Sequence, residues 1–183
     1  MVNIWMIFKS IYKKVTMKKN RNLFNLLFIL LIFTYCNAEE LKGENMIINK
    51  SVLSLKGAKS YIHAAQKIAT KKDLSLSIAV VDSSGNLLAF SRMDNASLVT
   101  IDVAIQKAKT AALLKAPSKL FEDKINSGEI SMLSVPNITP LQGGIPIFYK
   151  GELCGAVGIS GASGDIDNSV ALETIEALKF EKE

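Results

Sequence analysis

Histidine and cysteine are scarce in this sequence, and their scarcity excludes several kinds of site. The 183 residues include one histidine, His63, and two cysteines, Cys36 and Cys154. A structural zinc site needs four such ligands, and a disulfide framework needs more cysteines than this chain has. The phosphate-binding pattern Gly-x-x-x-x-Gly-Lys-Ser/Thr is also absent. An apolar core must therefore hold the fold together, and Cys154, in an apolar run, is expected to be a buried, inert thiol.

The first 38 residues have the layout of an export signal. Three basic residues precede an apolar run over 23–33, and the small residue Ala38 stands at the expected cut. The run has 11 residues, whereas a membrane-spanning helix needs about 20. We therefore predict a start at Met17, cleavage after Ala38, export to the periplasm or the medium, and no permanent membrane span. An uncleaved amphipathic anchor is the alternative.

The leader also distorts the overall charge of +5. Positions 1–38 hold six of the 22 basic residues and none of the 17 acidic ones. The remainder then has 16 basic and 17 acidic residues, a formal charge of −1. No basic footprint for nucleic acid remains, so nucleic acid is excluded as a partner.

Hydrophobic periodicity and turn residues predict one α+β domain over residues 50–181. Apolar residues at three- and four-residue spacing predict helices, and β-branched runs around Gly-containing turns predict two hairpins. The predicted order is αββααβββα, with helices at 54–72, 100–115, 118–125 and 165–178 and strands at 76–82, 87–93, 132–135, 144–149 and 153–160. Consecutive hairpins require antiparallel pairing. We therefore predict a five-stranded antiparallel sheet with helices packed against it.

Three polar residues on the predicted helices are candidates for binding. His63 lies one position beyond Ile62, off the buried stripe of the first helix, and should face solvent. As a neutral imidazole it could ligate iron, which in an exported protein would make a non-covalent haem site. Lys107 and Thr110 are three residues apart on the predicted polar face of the second helix, a cation beside a hydroxyl that could hold a carboxylate. For all three, ordinary solvated surface is the alternative.

Several segments together resemble the GlcG/HbpS family, the haem-binding or "haem-degrading" domain. The resemblance extends over about 52–179 and rests on four motifs in order: Ser77-Ile-Ala-Val-Val-Asp82-Ser-Ser-Gly85-Asn through Asp94, Lys107-Ala-Lys-Thr110-Ala, Gly143-Gly144-Ile-Pro146, and Gly155-Ala-Val-Gly158-Ile-Ser-Gly161-Ala.

The resemblance implies a profilin-like fold, homo-oligomeric assembly and haem binding in exported members. It makes Thr110 the first candidate haem contact and His63 the second, so the iron would be held by His63 or Thr110. Lys107 or Arg92 would pair with the propionates.

The leading hypothesis is an exported protein that binds haem b non-covalently and sequesters or transfers it outside the cytoplasm. No catalytic residue is predicted. One alternative is an enzyme that degrades haem or acts on a small hydroxy acid. Another is a ligand-sensing or interaction module that partners a receptor in the cell envelope.

Overall fold

The computed structural model describes residues 47–178, so the predicted leader with its start at Met17 and cleavage after Ala38 lies outside the described residues. From Asn49 onward the described chain forms one unit. Its elements are α1 (Leu55–Lys71), β1 (Ser77–Asp82), β2 (Leu87–Arg92), α2 (Thr100–Leu114), α3 (Lys119–Asn126), a 3₁₀ helix (Ile130–Ser134), β3 (Gly144–Tyr149), β4 (Glu152–Ser160) and α4 (Gly164–Ala177).

The four strands form one antiparallel sheet in the order β2-β1-β4-β3. The two hairpins supply the outer pairs, and β1 pairs with β4 to join them. The second hairpin turns at Lys150 and Gly151, and both residues have positive φ angles, of 49° and 82°. A glycine is favoured there because a Cβ atom disfavours that region of backbone conformation.

Alternate residues of the sheet face two different helical layers. One face, with fully buried Ile78, Val80 and Val157, packs against α1 and α4. The other, with Ala79 and Val81, packs against α2. Burying each branched side chain of the first face contributes about 1.5–3 kcal/mol relative to leaving it exposed. The described unit is thus a three-layer α/β/α arrangement around an antiparallel sheet.

The prediction of five strands was wrong. Residues 132–135, predicted as a strand, belong to the 3₁₀ helix Ile130–Ser134 and the residue that ends it. None of the residues in that 3₁₀ helix is buried, because the segment lies outside the layers and no neighbouring strand pairs with it. The α+β class, both hairpins and all four α-helices were predicted to within a few residues.

Helix α2 lies unusually close to the sheet because glycine occupies the strand positions beneath it. A Cβ built on Gly158 would stand 2.1 Å from the carbonyl oxygen of Ala104, and one built on Gly144 would stand 2.1 Å from that of Lys107. Real Cβ atoms do not approach backbone this closely, so only glycine fits. Alanines on the helix, including Ala108, complete the close contact.

Within residues 47–178 no helix combines the length and apolar character that a membrane crossing requires.

Candidate functional site

The close approach of α2 buries the ammonium group of Lys107 at the end of the sheet. Its Nζ atom donates to Asp167 Oδ2 at 2.7 Å and to the carbonyl oxygen of Ile159 at 3.1 Å. The two side chains of this ion pair are only 4% and 2% exposed. The pair therefore connects α2 to the start of α4 in an environment that water does not reach.

Burial raises the pKa of the Asp167 carboxyl group above its ordinary value, although the hydrogen bond from Lys107 acts in the opposite direction. The second carboxylate oxygen accepts a hydrogen bond from the backbone N–H of Ala162 at 3.0 Å. Removal of the carboxylate from water thus destabilises its charged form by more than its hydrogen bonds and ion pair stabilise it. Two of the three ammonium donors of Lys107 are thus used within the protein, and the side chain is only 4% exposed.

Thr110 is also buried, beneath the segment that leads into β3. Its side chain is fully inaccessible, and Oγ1 accepts a hydrogen bond from the N–H of Thr139 at 2.9 Å. Ser118 holds the same segment in place, since its Oγ donates to the carbonyl of Leu141 at 2.7 Å and accepts from the N–H of Gly144 at 2.9 Å. A ligand could reach Thr110 only if this segment moved.

The predicted outward orientation of Lys107 and Thr110 was therefore wrong. Helix α2 has the sheet on one side and the segment 139–144 on another, so its buried residues extend over more than half of its circumference. The alanine stripe seen in the sequence marks only the face that touches the sheet. The polar residues beside it are enclosed by chain that is distant in sequence.

Gln142 completes this polar end of the sheet. Its backbone N–H donates to Glu122 Oε2 at 2.6 Å, and its side-chain Nε2 donates to Asp165 Oδ1 at 3.0 Å. Its Oε1 atom is buried without a hydrogen-bond partner. In the part of the chain from 47 to 178, no group of three or more His, Cys, Asp or Glu side chains is arranged to hold a metal ion.

His63 is exposed on α1, as its position off the apolar stripe predicted. Lys59 and Lys67 lie four residues before and after it, on the same side of the helix, and both are exposed. Helix α1 carries four lysines and no acidic residue. This helix face therefore combines an imidazole with flanking cations. These lysines were not among the candidates predicted from the sequence, although their four-residue spacing from His63 is visible there.

Arg92 lies on the opposite side of the sheet from His63. It ends β2 and pairs with Ser77, whose hydroxyl is 2.8 Å from that of Thr100 at the start of α2. Cross-strand partners share a face, so Arg92 belongs to the α2 layer, where it is exposed. The four predicted residues thus do not converge: Lys107 and Thr110 are enclosed, and the two exposed ones lie on different layers.

Comparisons with known proteins identify relatives along most of the described chain. A family model described as "Haem degrading protein HbpS-like" matches residues 53–176. The protein GlcG of Escherichia coli (strain K12) is 41% identical over 111 residues, which cover 61% of this chain and 83% of GlcG. An uncharacterized 15.0 kDa protein from the dhaT-dhaS intergenic region of Citrobacter freundii is 30% identical over 139 residues, covering 72% of this chain and 98% of that protein.

Solved structures share the same fold. A double mutant of HbpS from Streptomyces reticuli superposes with a TM-score of 0.69 at 31% identity and covers 74% of this chain and 92% of its own. The structure of a PduOC:haem complex superposes with a TM-score of 0.63 at 28% identity, covering 69% and 95%.

The buried ion pair generates a prediction about pH and stability. Replacing Lys107 with Met removes the contacts that lower the pKa of Asp167, so that pKa should rise further. A carboxyl group with a raised folded pKa stabilises the folded state below its unfolded pKa, and that contribution is lost as pH rises through the folded pKa. We expect Lys107→Met to cost about 3–5 kcal/mol at about pH 8 and markedly less near pH 4–5, measured by urea unfolding.

The double variant Lys107→Met/Asp167→Asn is the control, because it removes the uncompensated carboxylate and keeps an acceptor for Ala162. It should recover most of the lost stability near pH 8 and show no extra dependence on pH from this site. A cost of Lys107→Met that is the same at both pH values would contradict this account of the pair.

Proposed function

Because this chain belongs to the HbpS-like family of haem degrading proteins, as its resemblance to GlcG/HbpS predicted, we propose that it binds haem b non-covalently on the outward side of α1. The observation that carries the proposal is the position of His63: it is exposed and has a lysine four residues away on either side. The similarity to a protein solved as a haem complex supports haem as the ligand.

His63 is the proposed iron ligand. Its imidazole is the only one in the chain, and neutral imidazole is a common protein ligand to haem iron. Thr110, the other candidate, is inaccessible and bonded to Thr139. Binding at His63 needs no rearrangement of the described chain, whereas binding at Thr110 requires the covering segment to open.

Lys59 and Lys67 are the proposed partners of the two propionates. They are exposed cations on the helix face that carries His63, and cation–carboxylate hydrogen bonds are among the stronger polar contacts. Lys107 cannot take this role without leaving Asp167 unpaired in a buried site. Arg92, on the other layer, could reach the same haem only from a second copy of the chain.

A second copy of the chain is the proposed cover for the outer face of the macrocycle. One helix face shields only one side of a porphyrin, and the remaining apolar surface favours further burial. Exposed apolar side chains support self-association: Leu98, Val99, Ile130 and Leu133 are 70%, 67%, 67% and 59% exposed. We therefore propose a homo-oligomer whose assembly encloses the haem.

We further propose that the protein acts outside the cytoplasm, where it sequesters haem or passes it on. The leader-like composition of residues 1–38 supports this. Degradation of haem is the second candidate function, and the description of the matching family as haem degrading favours it. A passive sensing module that partners an envelope receptor is the remaining alternative.

Hemin titration followed by absorbance spectroscopy tests the haem site. We expect the full chain to shift the Soret band at stoichiometric hemin, and His63→Ala to weaken binding by at least about tenfold, equivalent to about 1.4 kcal/mol. Lys59→Ala and Lys67→Ala should each weaken binding by about two- to fivefold, in the range of exposed ion pairs.

Lys71→Ala is the matched control, since it removes an exposed lysine at the end of the same helix and should bind hemin like the parent chain. Added imidazole should restore the His63→Ala spectrum. An unchanged spectrum in His63→Ala would rule out this ligand. Ascorbate in air should leave the Soret band in place, whereas steady loss of the band would favour the degrading enzyme.

Export is checked by expressing the full chain in a bacterial host and determining the N-terminus of the product outside the cytoplasm. We expect a chain that begins at Glu39, and substitution of Ala38 by a bulky residue should block processing. Retention of the whole product in the cytosol would rule out the extracytoplasmic role and leave haem binding to be judged by the titration.

A further inference from the structure

A cavity of about 560 Å³ lies beside α1, away from the ion pair of Lys107. Its walls come from residues 51–54, the first two turns of α1, the β3–β4 hairpin and Leu178. Small-molecule sites in proteins usually enclose about 300–1,000 Å³. The space is therefore large enough for an organic ligand. Ser60 lines this cavity and His63 does not, so it is separate from the proposed iron ligand.

The cavity walls are uncharged. Among the described residues that line it, all side chains are aliphatic, hydroxyl-bearing, aromatic or thiol groups, and none is Lys, Arg, Asp, Glu or His. Placing a formal charge in such surroundings without a partner costs several kcal/mol. The chemistry of the walls therefore selects a neutral, mainly apolar molecule and disfavours an anion such as haem.

One polar group in the walls has no partner. Tyr61 is only 3% exposed and lines the cavity, yet its hydroxyl makes no hydrogen bond to any residue between 47 and 178. Burial raises the pKa of this hydroxyl, with a smaller contribution from Cys154, so it remains a donor at neutral pH. The hydroxyl oxygen is not among the fully buried unpaired atoms of the described residues, so it is accessible at the cavity wall. A ligand with an acceptor oxygen could accept a hydrogen bond from it.

Hydrogen bonds hold residues 51–54, which form one wall of the cavity, in position. Ser51 donates from its backbone N–H and its Oγ to the carboxylate of Glu152, at 3.1 and 2.8 Å. Ser54 caps α1, with its Oγ accepting from the N–H of Gly57 at 3.1 Å. The walls are thus formed before any ligand arrives, which lowers the ordering cost of binding.

We propose that this cavity binds a neutral, mostly apolar small molecule of two or three rings that carries an acceptor oxygen, with the Tyr61 hydroxyl as donor. The site is independent of haem and would make the chain a carrier or sensor of a second ligand.

Fluorescence titration of the full chain with N-phenyl-1-naphthylamine, a neutral two-ring dye with a pendant phenyl group, tests the cavity. Emission should rise and saturate at one dye per chain. The matched anion 1-anilinonaphthalene-8-sulfonate, which adds a sulfonate to a similar ring system, should bind at least about tenfold more weakly.

Two phenylalanine variants locate the dye. Ser60→Phe puts a ring into the cavity mouth at an exposed helix position, where Ser60 bonds only to the carbonyl of Lys56, and it should abolish dye binding. Lys71→Phe, at another exposed position on α1 outside the cavity, should bind the dye normally. Equal effects of the two substitutions, or none from Ser60→Phe, would mean surface binding and overturn the proposal.

Displacement of the dye by a matched pair of ligands tests Tyr61. The affinity ratio of 1-acetylnaphthalene to 1-ethylnaphthalene should fall by about three- to tenfold in Tyr61→Phe, the range of one hydrogen bond. An unchanged ratio would remove Tyr61 as the donor and overturn the assignment.

Two further outcomes would overturn the proposal in different ways. Residues 179–183 follow Leu178 directly, so a chain ending at Leu178 tests the chain's own terminus as the occupant. Dye binding by that shortened chain but not by the full chain would assign the cavity to this terminus. Displacement of the dye by one equivalent of hemin would assign the cavity to haem instead.

Discussion

The close packing of α2 on the sheet is the constraint on which the rest of the structure depends. Gly144 and Gly158 lack the Cβ atoms that would collide with the backbone of α2. At this separation the long side chain of Lys107 cannot leave toward solvent beside the helix, and it ends instead at the carboxylate of Asp167. The same approach encloses Thr110. The pair adds little net stability compared with apolar residues, but each partner makes the other indispensable.

This arrangement divides the polar residues of the chain into two sets with different roles. Those near Lys107 connect α2, the segment before β3 and the start of α4, and their hydrogen-bonding capacity is largely used within the protein. Those on α1 are not used in this way: His63 and its neighbouring lysines are exposed. The haem site proposed on α1 therefore requires no change in the fold. The uncharged cavity on another side of α1 offers a different chemical environment from the same helix.

The sequence predicted the features that depend on local pattern. Hydrophobic periodicity predicted the four α-helices and the exposure of His63, and the turn residues predicted the turn at Gly151. The predictions that were wrong concern features that depend on contacts between residues distant in sequence. A four-residue apolar run at 132–135 looks like a strand unless one knows that no partner strand lies beside it. Lys107 looks solvent-exposed on a helical wheel, because its enclosure comes from residues more than thirty positions away. The cavity, made from three separate segments (51–61, 149–154 and Leu178), leaves no linear motif.

The central claim is that haem binds this protein at α1 and not at α2. Ferric haem iron is paramagnetic and broadens the NMR signals of nearby amides, so spectra of the isotope-labelled full chain with and without hemin would locate it. The account predicts that broadening is centred on α1 around His63 and reaches Lys59 and Lys67, while amides near Lys107 and Thr139 stay sharp. Broadening centred on Thr110 and Thr139, with α1 unaffected, would contradict it.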